Sequence, residues 1–251
     1  MEDLQVKVIS FSQKPPLLAT LKRLFPRLSV GVQTAVDVRG FETETLLASN
    51  VISHTAANSI THGRRWHHEM PTKGAVGLAH AVRLALMDDV TTNLLLFEED
   101  CNIKDEKKLI EYVNVLVRNT SKFDVAVLGL LHKQQTEDTP TDVLPDWIHI
   151  KDMFWGLHCV LYSSRARQKI SVALESALDM QIDSLYGSMA KNNFLKVWAQ
   201  KKNACVEQQF HLSSIQNGPP ILQGDLTAIS ICAIIAVIIV LVVVVFVTFR
   251  K

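Results

Sequence analysis

Residues 94–100 read LLLFEED, so four apolar residues come directly before three acidic ones. A continuous apolar run of this length is typical of a parallel strand that helices cover on both faces. The strand ends in Glu98, Glu99 and Asp100, whose carboxylates repel one another and resist transfer out of water. The segment therefore predicts a buried strand that ends in concentrated negative charge, stabilised either by water or by a metal ion.

Strand-like and helix-like segments alternate along the chain. Strands are predicted at 6–11, 30–37, 94–98, 124–131 and 158–163, and helices at 17–25, 106–119 and 163–180. Asp105 is the predicted cap of the second helix, and the polar segment 132–146 is predicted to be a mobile loop. This alternation predicts an α/β domain with a Rossmann-like mixed sheet flanked by helices.

The segment 228–249 contains no charged residue, Gly or Pro. A helix of this length, at about 1.5 Å per residue, spans a bilayer core of about 30 Å. We therefore expect a domain at 1–222, then a linker and one C-terminal transmembrane helix at 223–251. Because the N-terminus lacks the pattern of a secretory signal, the domain is expected in the cytosol, although the two final basic residues favour the opposite orientation.

Charge and cysteine content exclude some classes of protein. The net charge of +1 gives no reason to expect a nucleic-acid partner. The four cysteines have no C-x-x-C spacing, so free thiols are expected rather than a zinc site.

The acidic residues are the first candidate site. Ligands of open α/β sheets bind beyond the carboxyl ends of the strands, which is where Glu98, Glu99 and Asp100 lie. Alternation along the strand sends Glu98 and Asp100 to one side and Glu99 to the other. Two converging carboxylates suit a hard cation such as Mn²⁺ or Mg²⁺. The alternative is an acidic strand end that is simply solvated.

Three other segments contain candidate site residues, each of which has a structural and a functional interpretation. In the predicted helix 73–86, free backbone N–H groups at the start, near Lys73 and Gly74, could bind an anion. His80 lies on the face of this helix that points away from the core. It is either a site residue or an ordinary surface histidine. In 153–170, Phe154 and Trp155 are core anchors or a sugar-stacking platform. The basic side chains that follow predict a solvated helix face rather than a phosphate clamp, and they are Arg165, Arg167 and Lys169. Asp183 is either a helix cap or a catalytic base.

These segments, in this order, resemble glycosyltransferase family 25, which includes bacterial lipooligosaccharide galactosyltransferases and collagen galactosyltransferases. The matching segments are GAVGLAH at 74–80, LFEED at 96–100, GLHCVLYS at 156–163 and QID at 181–183, with TAVD at 34–37 and EQQFHLSSIQ at 207–216. The resemblance extends over residues 5–216, which is most of the chain before the apolar segment.

The resemblance implies a GT-A-type fold that transfers a hexose, galactose or glucose, from a UDP-sugar to a hydroxyl of a glycan or a protein with Mn²⁺ or Mg²⁺. The implied metal and diphosphate residues are Glu98 and Asp100. The implied donor-site residues are Gly74, Glu99, Gly156 and His158, with Asp183 as the first candidate base and His80 as the second.

This chain departs from the family pattern at several polar positions. The two arginines expected after the first strand are missing, and Ala79 and Leu157 replace a Ser and a Thr. The alternative is therefore a catalytically inactive, tail-anchored binding or scaffold protein. Another metal-dependent phosphoryl or nucleotidyl enzyme also suits an acidic strand end, although the sequence has no P-loop motif. A tail anchor would be unusual in cellular members, which favours a viral or otherwise divergent source.

Overall fold

The computed structural model describes residues 3–202 and 204–209. Its helices are α1 (Pro16–Leu24), α2 (Thr43–Ala48), α3 (His54–His62), α4 (Lys73–Met87), α5 (Glu106–Val117), α6 (Ser164–Ala173) and α7 (Ile182–Lys191). Its first six strands are β1 (Leu4–Ser10), β2 (Ser29–Thr34), β3 (Asn93–Glu98), β4 (Cys101–Ile103), β5 (Val125–Val127) and β6 (His132–Lys133). The others are β7 (Thr139–Pro140), β8 (Trp147–Ile150), β9 (Phe154–Trp155), β10 (Cys159–Tyr162), β11 (Val197–Gln200) and β12 (Val206–Gln208).

The main sheet is mixed and has eight strands in the order β2-β1-β3-β10-β5-β11-β8-β7. Strands β1, β2 and β3 are parallel, β10 runs antiparallel between β3 and β5, and β11 is parallel to β5. Helices α1 and α5 contribute to the core on one face of the sheet, and α2, α3, α4, α6 and α7 contribute to the core on the other. The predicted mixed α/β sheet with flanking helices is confirmed.

Strand β3 is covered on both faces, as its apolar run predicts. Leu94 and Leu96 pack into one core, whereas Leu95 and Phe97 pack into the other. Because parallel strands in the middle of a sheet meet helices on both sides, they need no polar alternation. The strand thus delivers its acidic end, beginning with Glu98, to the carboxyl edge of the sheet.

Several predicted boundaries differ from the structure. The strand predicted at 124–131 is only three residues long, and the helix predicted at 163–180 ends at Ala173. The segment 132–146 contains β6 and β7, which pair with β9 and β8. The Asp105 side chain accepts a hydrogen bond from the Lys108 N–H, so the predicted cap of α5 is confirmed.

Helix α4 is buried over most of its circumference, because it lies between the sheet and α6. The prediction that Arg167 belongs to a solvated helix face is wrong. Arg167 is fully buried, and its guanidinium donates to the backbone oxygens of Ala85, Leu86 and Thr92 at 2.9–3.0 Å. A helix end leaves carbonyl groups without intrahelical partners, and a buried cation satisfies them here.

The predicted membrane span at 228–249 and the whole of the predicted second domain at 223–251 lie outside the described residues. Within residues 3–202 and 204–209, no helix combines the length and the apolar composition that crossing a bilayer requires.

Candidate functional site

Strands β1, β2 and β3 all end at one edge of the sheet, where α4 begins. A narrow cleft between these strand ends and α4 is lined by Ile9, Phe11, Ala35, Val36, Asp37, Arg39, Gly74 and Leu78. The packing beside the cleft is tight, because a Cβ on Gly77 would lie 2.1 Å from the Val36 carbonyl oxygen. The predicted donor-site residue Gly74 therefore lines a cleft at the carboxyl edge, although the cleft encloses only about 10 Å³.

The three consecutive acids make different contacts at the end of β3. The Glu98 N–H donates to the carbonyl of His158, the residue before β10, at 3.0 Å. Glu99 accepts a hydrogen bond from the Ser10 hydroxyl at 2.5 Å, whereas Asp100 accepts one from the Gln208 amide at 2.9 Å. Glu99 is thus bound to β1 and Asp100 to β12, so neighbouring carboxylates are held in different directions.

Asp183 lies in the first turn of α7, and the N-cap of that helix is Gln181. Its carboxylate accepts hydrogen bonds from the Ser184 N–H at 2.8 Å and the Gly156 N–H at 3.3 Å. Gly156 has φ +109°, and a Cβ there would lie 2.5 Å from the Gly129 oxygen. A glycine is required at this position, and its backbone N–H connects the segment before β10 to Asp183.

Burial raises the pKa values of these acids, and neighbouring carboxylates add to the effect at Glu98 and Asp100. The pKa of Glu98 lies well above its usual range, first because of burial and then because of the charges of Asp100 and Asp183. Burial raises the pKa of Asp183 to about 6, against the opposing effects of its backbone hydrogen bonds and of Arg64. Burial also raises the pKa of Asp100. The charge of Asp183 thus acts on Glu98, although sequence reasoning placed the two residues in separate segments.

Glu98, Asp100 and Asp183 form no ion pair with any described residue, and the buried Oδ1 of Asp100 has no hydrogen-bond partner among those residues. Carboxylate oxygens are the donors that Mn²⁺ and Mg²⁺ prefer, so the residues present fit such an ion. Within the described ranges, no group of three or more His, Cys, Asp or Glu side chains forms a ready-made ligand set. An ion here would need oxygens from water or substrate to complete its coordination.

The two predicted site histidines, His80 and His158, are buried to different extents. The His158 side chain is fully buried, its ring packs against the Cα of Gly129, and burial lowers its pKa to about 4. His80 is partly buried in α4, where burial and the charge of Arg83 lower its pKa. No hydrogen bond or ion pair of the described residues joins either imidazole to the acids. His158 instead contributes through its backbone oxygen.

The chain after β2 supplies a cation and an acid that sequence reasoning did not place at the site. Arg39 forms an ion pair with Asp37 at 2.7 Å and lies 5.1 Å above the Phe11 ring. The hydrogen bonds from Arg39 lower the pKa of Asp37 to about 2. The similarity of TAVD at 34–37 to the family pattern was the one signal for this segment. Lys73 is predicted to meet an anion through the backbone N–H groups at the start of α4. Its side-chain ammonium donates to the Phe41 carbonyl at 2.6 Å.

Three aromatic rings pack together around Trp155, which directly precedes Gly156. The Trp155 ring stacks on His132 with centroids 5.4 Å apart, and it meets His67 edge to face at 5.8 Å. These three residues are called the aromatic wall below. Phe154, in contrast, is fully buried in the core, so the two neighbouring aromatics have separate roles.

Comparisons with known proteins add likenesses of overall fold. No family profile matches the chain, and no curated protein matches its sequence. Among solved structures, A197 from STIV is 12% identical with a TM-score of 0.39, covering 84% of this chain and 96% of that chain. A UDP-glucose pyrophosphorylase complexed with UDP-glucose is 11% identical with a TM-score of 0.44, covering 83% and 92%. The 2-C-methyl-D-erythritol 4-phosphate cytidylyltransferase from Thermus thermophilus is 12% identical with a TM-score of 0.40, covering 90% and 99%.

Proposed function

We propose that the chain is a metal-dependent glycosyltransferase of the family 25 type, which transfers galactose or glucose from a UDP-sugar to a hydroxyl of a glycan or protein. The observation that carries the proposal is the acidic end of β3, where the charges of Asp100 and Asp183 raise the pKa of Glu98 and none of the three forms an ion pair with a described residue. Partly buried carboxylates near one another destabilise the folded state, and such perturbed acids are common in sites that bind a cation or transfer a proton.

In this proposal Glu98 and Asp100 hold a divalent cation, Mn²⁺ or Mg²⁺, beside the donor diphosphate. When bound, the cation would stabilise the negative charge that develops on the departing UDP. The cleft beside Gly74, with Asp37 and Arg39 at its rim, would take the nucleoside after opening. Opening is required because sites for ligands of drug size enclose about 300–1,000 Å³.

Asp183 would act as the general base. With a pKa of about 6, its carboxylate is largely ionised at neutral pH and still basic enough to take a proton from a hydroxyl. The acceptor oxygen then forms a bond to the anomeric carbon, the bond from that carbon to the β-phosphate oxygen breaks, and UDP leaves with the electron pair. The segment 228–249 would anchor the enzyme in a membrane with its catalytic domain in the cytosol.

Release of UDP from UDP-galactose and UDP-glucose, measured with Mn²⁺ and without an added acceptor, tests the proposal. We expect turnover by the wild type and a loss of about 10²-fold or more in Glu98→Gln and in Asp100→Asn, because each removes a charge that holds the cation. Glu175→Gln is the matched control, since this exposed glutamate pairs with Arg83 away from the acids. Pyrophosphate release from UTP and a sugar phosphate instead of UDP release would contradict the proposal in favour of nucleotidyl transfer.

A catalytically inactive binding or scaffold protein is the second candidate, and the small volume of the cleft favours it. It predicts that the folded wild type binds no UDP with Mn²⁺, that Glu98→Ala and Asp100→Ala leave the biological role intact, and that removal of residues 226–251 abolishes that role. Titration calorimetry with UDP and Mn²⁺ distinguishes the two candidates directly.

A further inference from the structure

The end of α3 and the loop after it expose an aromatic ring among basic residues. Residues 62–68, called the basic loop below, read HGRRWHH, with two arginines, three histidines and no acid. Trp66 is 65% exposed, more than any other large apolar side chain of the described residues, and Arg65 is also exposed. Because an indole has an apolar body and a polar N–H, an exposed one suits a boundary between apolar and aqueous surroundings.

Hydrogen bonds hold the basic loop against the start of α7. The Glu69 carboxylate accepts from the backbone N–H groups of Arg65 and Trp66. The His68 carbonyl accepts from the Gln181 N–H at 3.3 Å. The exposed indole therefore belongs to a loop whose backbone is fixed beside the carboxyl edge of the sheet.

A second exposed apolar side chain lies next to the aromatic wall. Leu131 is 46% exposed, and its N–H donates to the Trp155 carbonyl at 2.8 Å. It directly precedes His132 of the wall, and Trp66 directly precedes His67 of the wall. The two exposed side chains thus flank one group of packed rings, whereas an isolated exposed apolar residue would need no explanation.

The described chain ends at this same edge of the sheet. The Gln209 N–H donates to the Asp100 carbonyl at 2.8 Å, so the chain leaves the described structure beside the acidic end of β3. Residues 210–227 then lead to the apolar segment 228–249. A polypeptide of that length spans about 20–25 Å on average as a random coil. A bilayer that holds 228–249 is therefore expected to lie nearest the carboxyl edge.

We propose that Trp66, Leu131 and Arg65 form a membrane-contact surface, with the indole and the leucine at the headgroup level and the guanidinium on anionic phospholipid. Tryptophan is enriched at membrane–water interfaces, and a cation near an anionic leaflet is attracted to it. The inference rests on the part of the proposed function that places 228–249 in a membrane, and not on the transfer of a sugar. The contact turns the carboxyl edge of the sheet toward the bilayer.

Quenching of tryptophan fluorescence by phospholipid brominated near its headgroup tests the inference on the full-length chain. The chain is reconstituted into phosphatidylcholine vesicles with and without phosphatidylglycerol, and flotation measures its association with them. The segment 228–249 contains no tryptophan, and Trp147 and Trp198 are buried in the core. We expect brominated lipid to quench the wild type, and Trp66→Phe to remove about half or more of that quenching.

Arg65→Gln tests the charge, and Arg27→Gln is its matched control. Arg27 is also exposed, but it lies just before β2, at the opposite edge of the sheet. In vesicles with phosphatidylglycerol, Arg65→Gln should lower the quenching about twofold or more, whereas Arg27→Gln should match the wild type. Equal losses in the two variants would overturn the contact of Arg65 with anionic lipid.

The outcomes separate the membrane contact from the anchor and from the enzyme activity. Flotation of a chain whose quenching is the same in wild type and Trp66→Phe would overturn the contact and leave the anchor in place. A chain that does not float with the vesicles would contradict both. Failure to release UDP, together with Trp66-dependent quenching, would contradict the proposed sugar transfer and support the membrane contact. Because both side chains are exposed, Trp66→Phe and Arg65→Gln should keep the thermal midpoint of the wild type.

Discussion

Two aspartates at opposite edges of the sheet have contrasting surroundings, and Asp124 is buried whereas Asp183 is partly buried. At the amino edge, the Asp124 carboxylate accepts from Arg165 Nε and from the Lys196 N–H, both at 2.9 Å, and Lys169 lies 3.6 Å away. At the carboxyl edge, Asp183 receives two backbone N–H groups but forms no ion pair with a described residue, and Glu98 lies near enough to repel it.

The difference distinguishes a charge that stabilises the folded state from charges that destabilise it. A buried charge with good partners is costly to remove, whereas a buried charge without a counterion is costly to keep. The amino edge also contains the buried Arg167, each of whose guanidinium nitrogens donates a hydrogen bond. Substitutions at the two edges should therefore change stability with opposite signs.

The largest expected effect is at the amino edge. Arg167→Met should lower the free energy of unfolding by about 3–4 kcal/mol, because buried carbonyls of Ala85, Leu86 and Thr92 lose their donor. Urea unfolding followed by circular dichroism measures this loss. An unfolding free energy within about 1 kcal/mol of wild type, a margin the size of one hydrogen bond, would show that water replaces the guanidinium.

Asp183→Asn should stabilise the protein at the carboxyl edge. The raised pKa of about 6 means that the folded state loses stability as pH rises from the unfolded value of 3.8 through 6. The Asn variant should therefore equal wild type near pH 4 and exceed it by up to about 3 kcal/mol above pH 6. Unfolding with a metal chelator present, at pH 4 and pH 8, measures the difference; an advantage that is independent of pH would contradict the electrostatic cause.

Asp124→Asn is the matched change at the opposite edge, and its sign should be reversed. Loss of charge in the hydrogen bond and ion pair with Arg165 should lower the free energy of unfolding by about 1.5–3 kcal/mol at pH 7. The same unfolding measurements serve both variants. If Asp124→Asn were as stable as Asp183→Asn, the contrast between the two edges would fail.

The smallest effect is expected where a charge pair faces water. Glu175→Gln removes the 2.7 Å ion pair with Arg83, and because the Glu175 side chain is 54% exposed, stability should fall by only about 0.5 kcal/mol. Raising the salt concentration should remove this difference, since salt screens exposed charges. A loss above about 1.5 kcal/mol would mean that the pair supports the packing of α4.

Local pattern predicted much of the sheet and part of the site. The apolar run before Glu98 was sufficient to predict β3, because a strand that is buried on both faces has a continuous apolar sequence. The cap of α5 at Asp105 was likewise predictable from the neighbouring residues alone. Asp183 and Glu98 were each predicted as site residues, but their proximity depends on the sheet order, which the sequence pattern does not encode.

The missed residues required tertiary information or a closer use of periodicity. Arg167 shares a helical stripe with the buried Ala166, Ile170 and Ser171, so spacing could have identified it as buried despite its charge. Arg39 had no such signal, and the sequence indicated Trp155 but not His67 and His132, because these partners come from distant segments. Arg39 lies over the ring of Phe11, just after β1, but it belongs to the loop after β2. No motif in β1 could therefore predict it.

The central claim is that Glu98 and Asp100 form a cation site, and the shift in thermal midpoint on adding Mn²⁺ tests it most directly. The account predicts that Mn²⁺ with UDP raises the midpoint of the wild type and of Asp124→Asn, because binding to the folded state stabilises it. It predicts no such rise for the Glu98→Gln, Asp100→Asn double variant. An equal Mn²⁺-dependent rise in the double variant would contradict the claim.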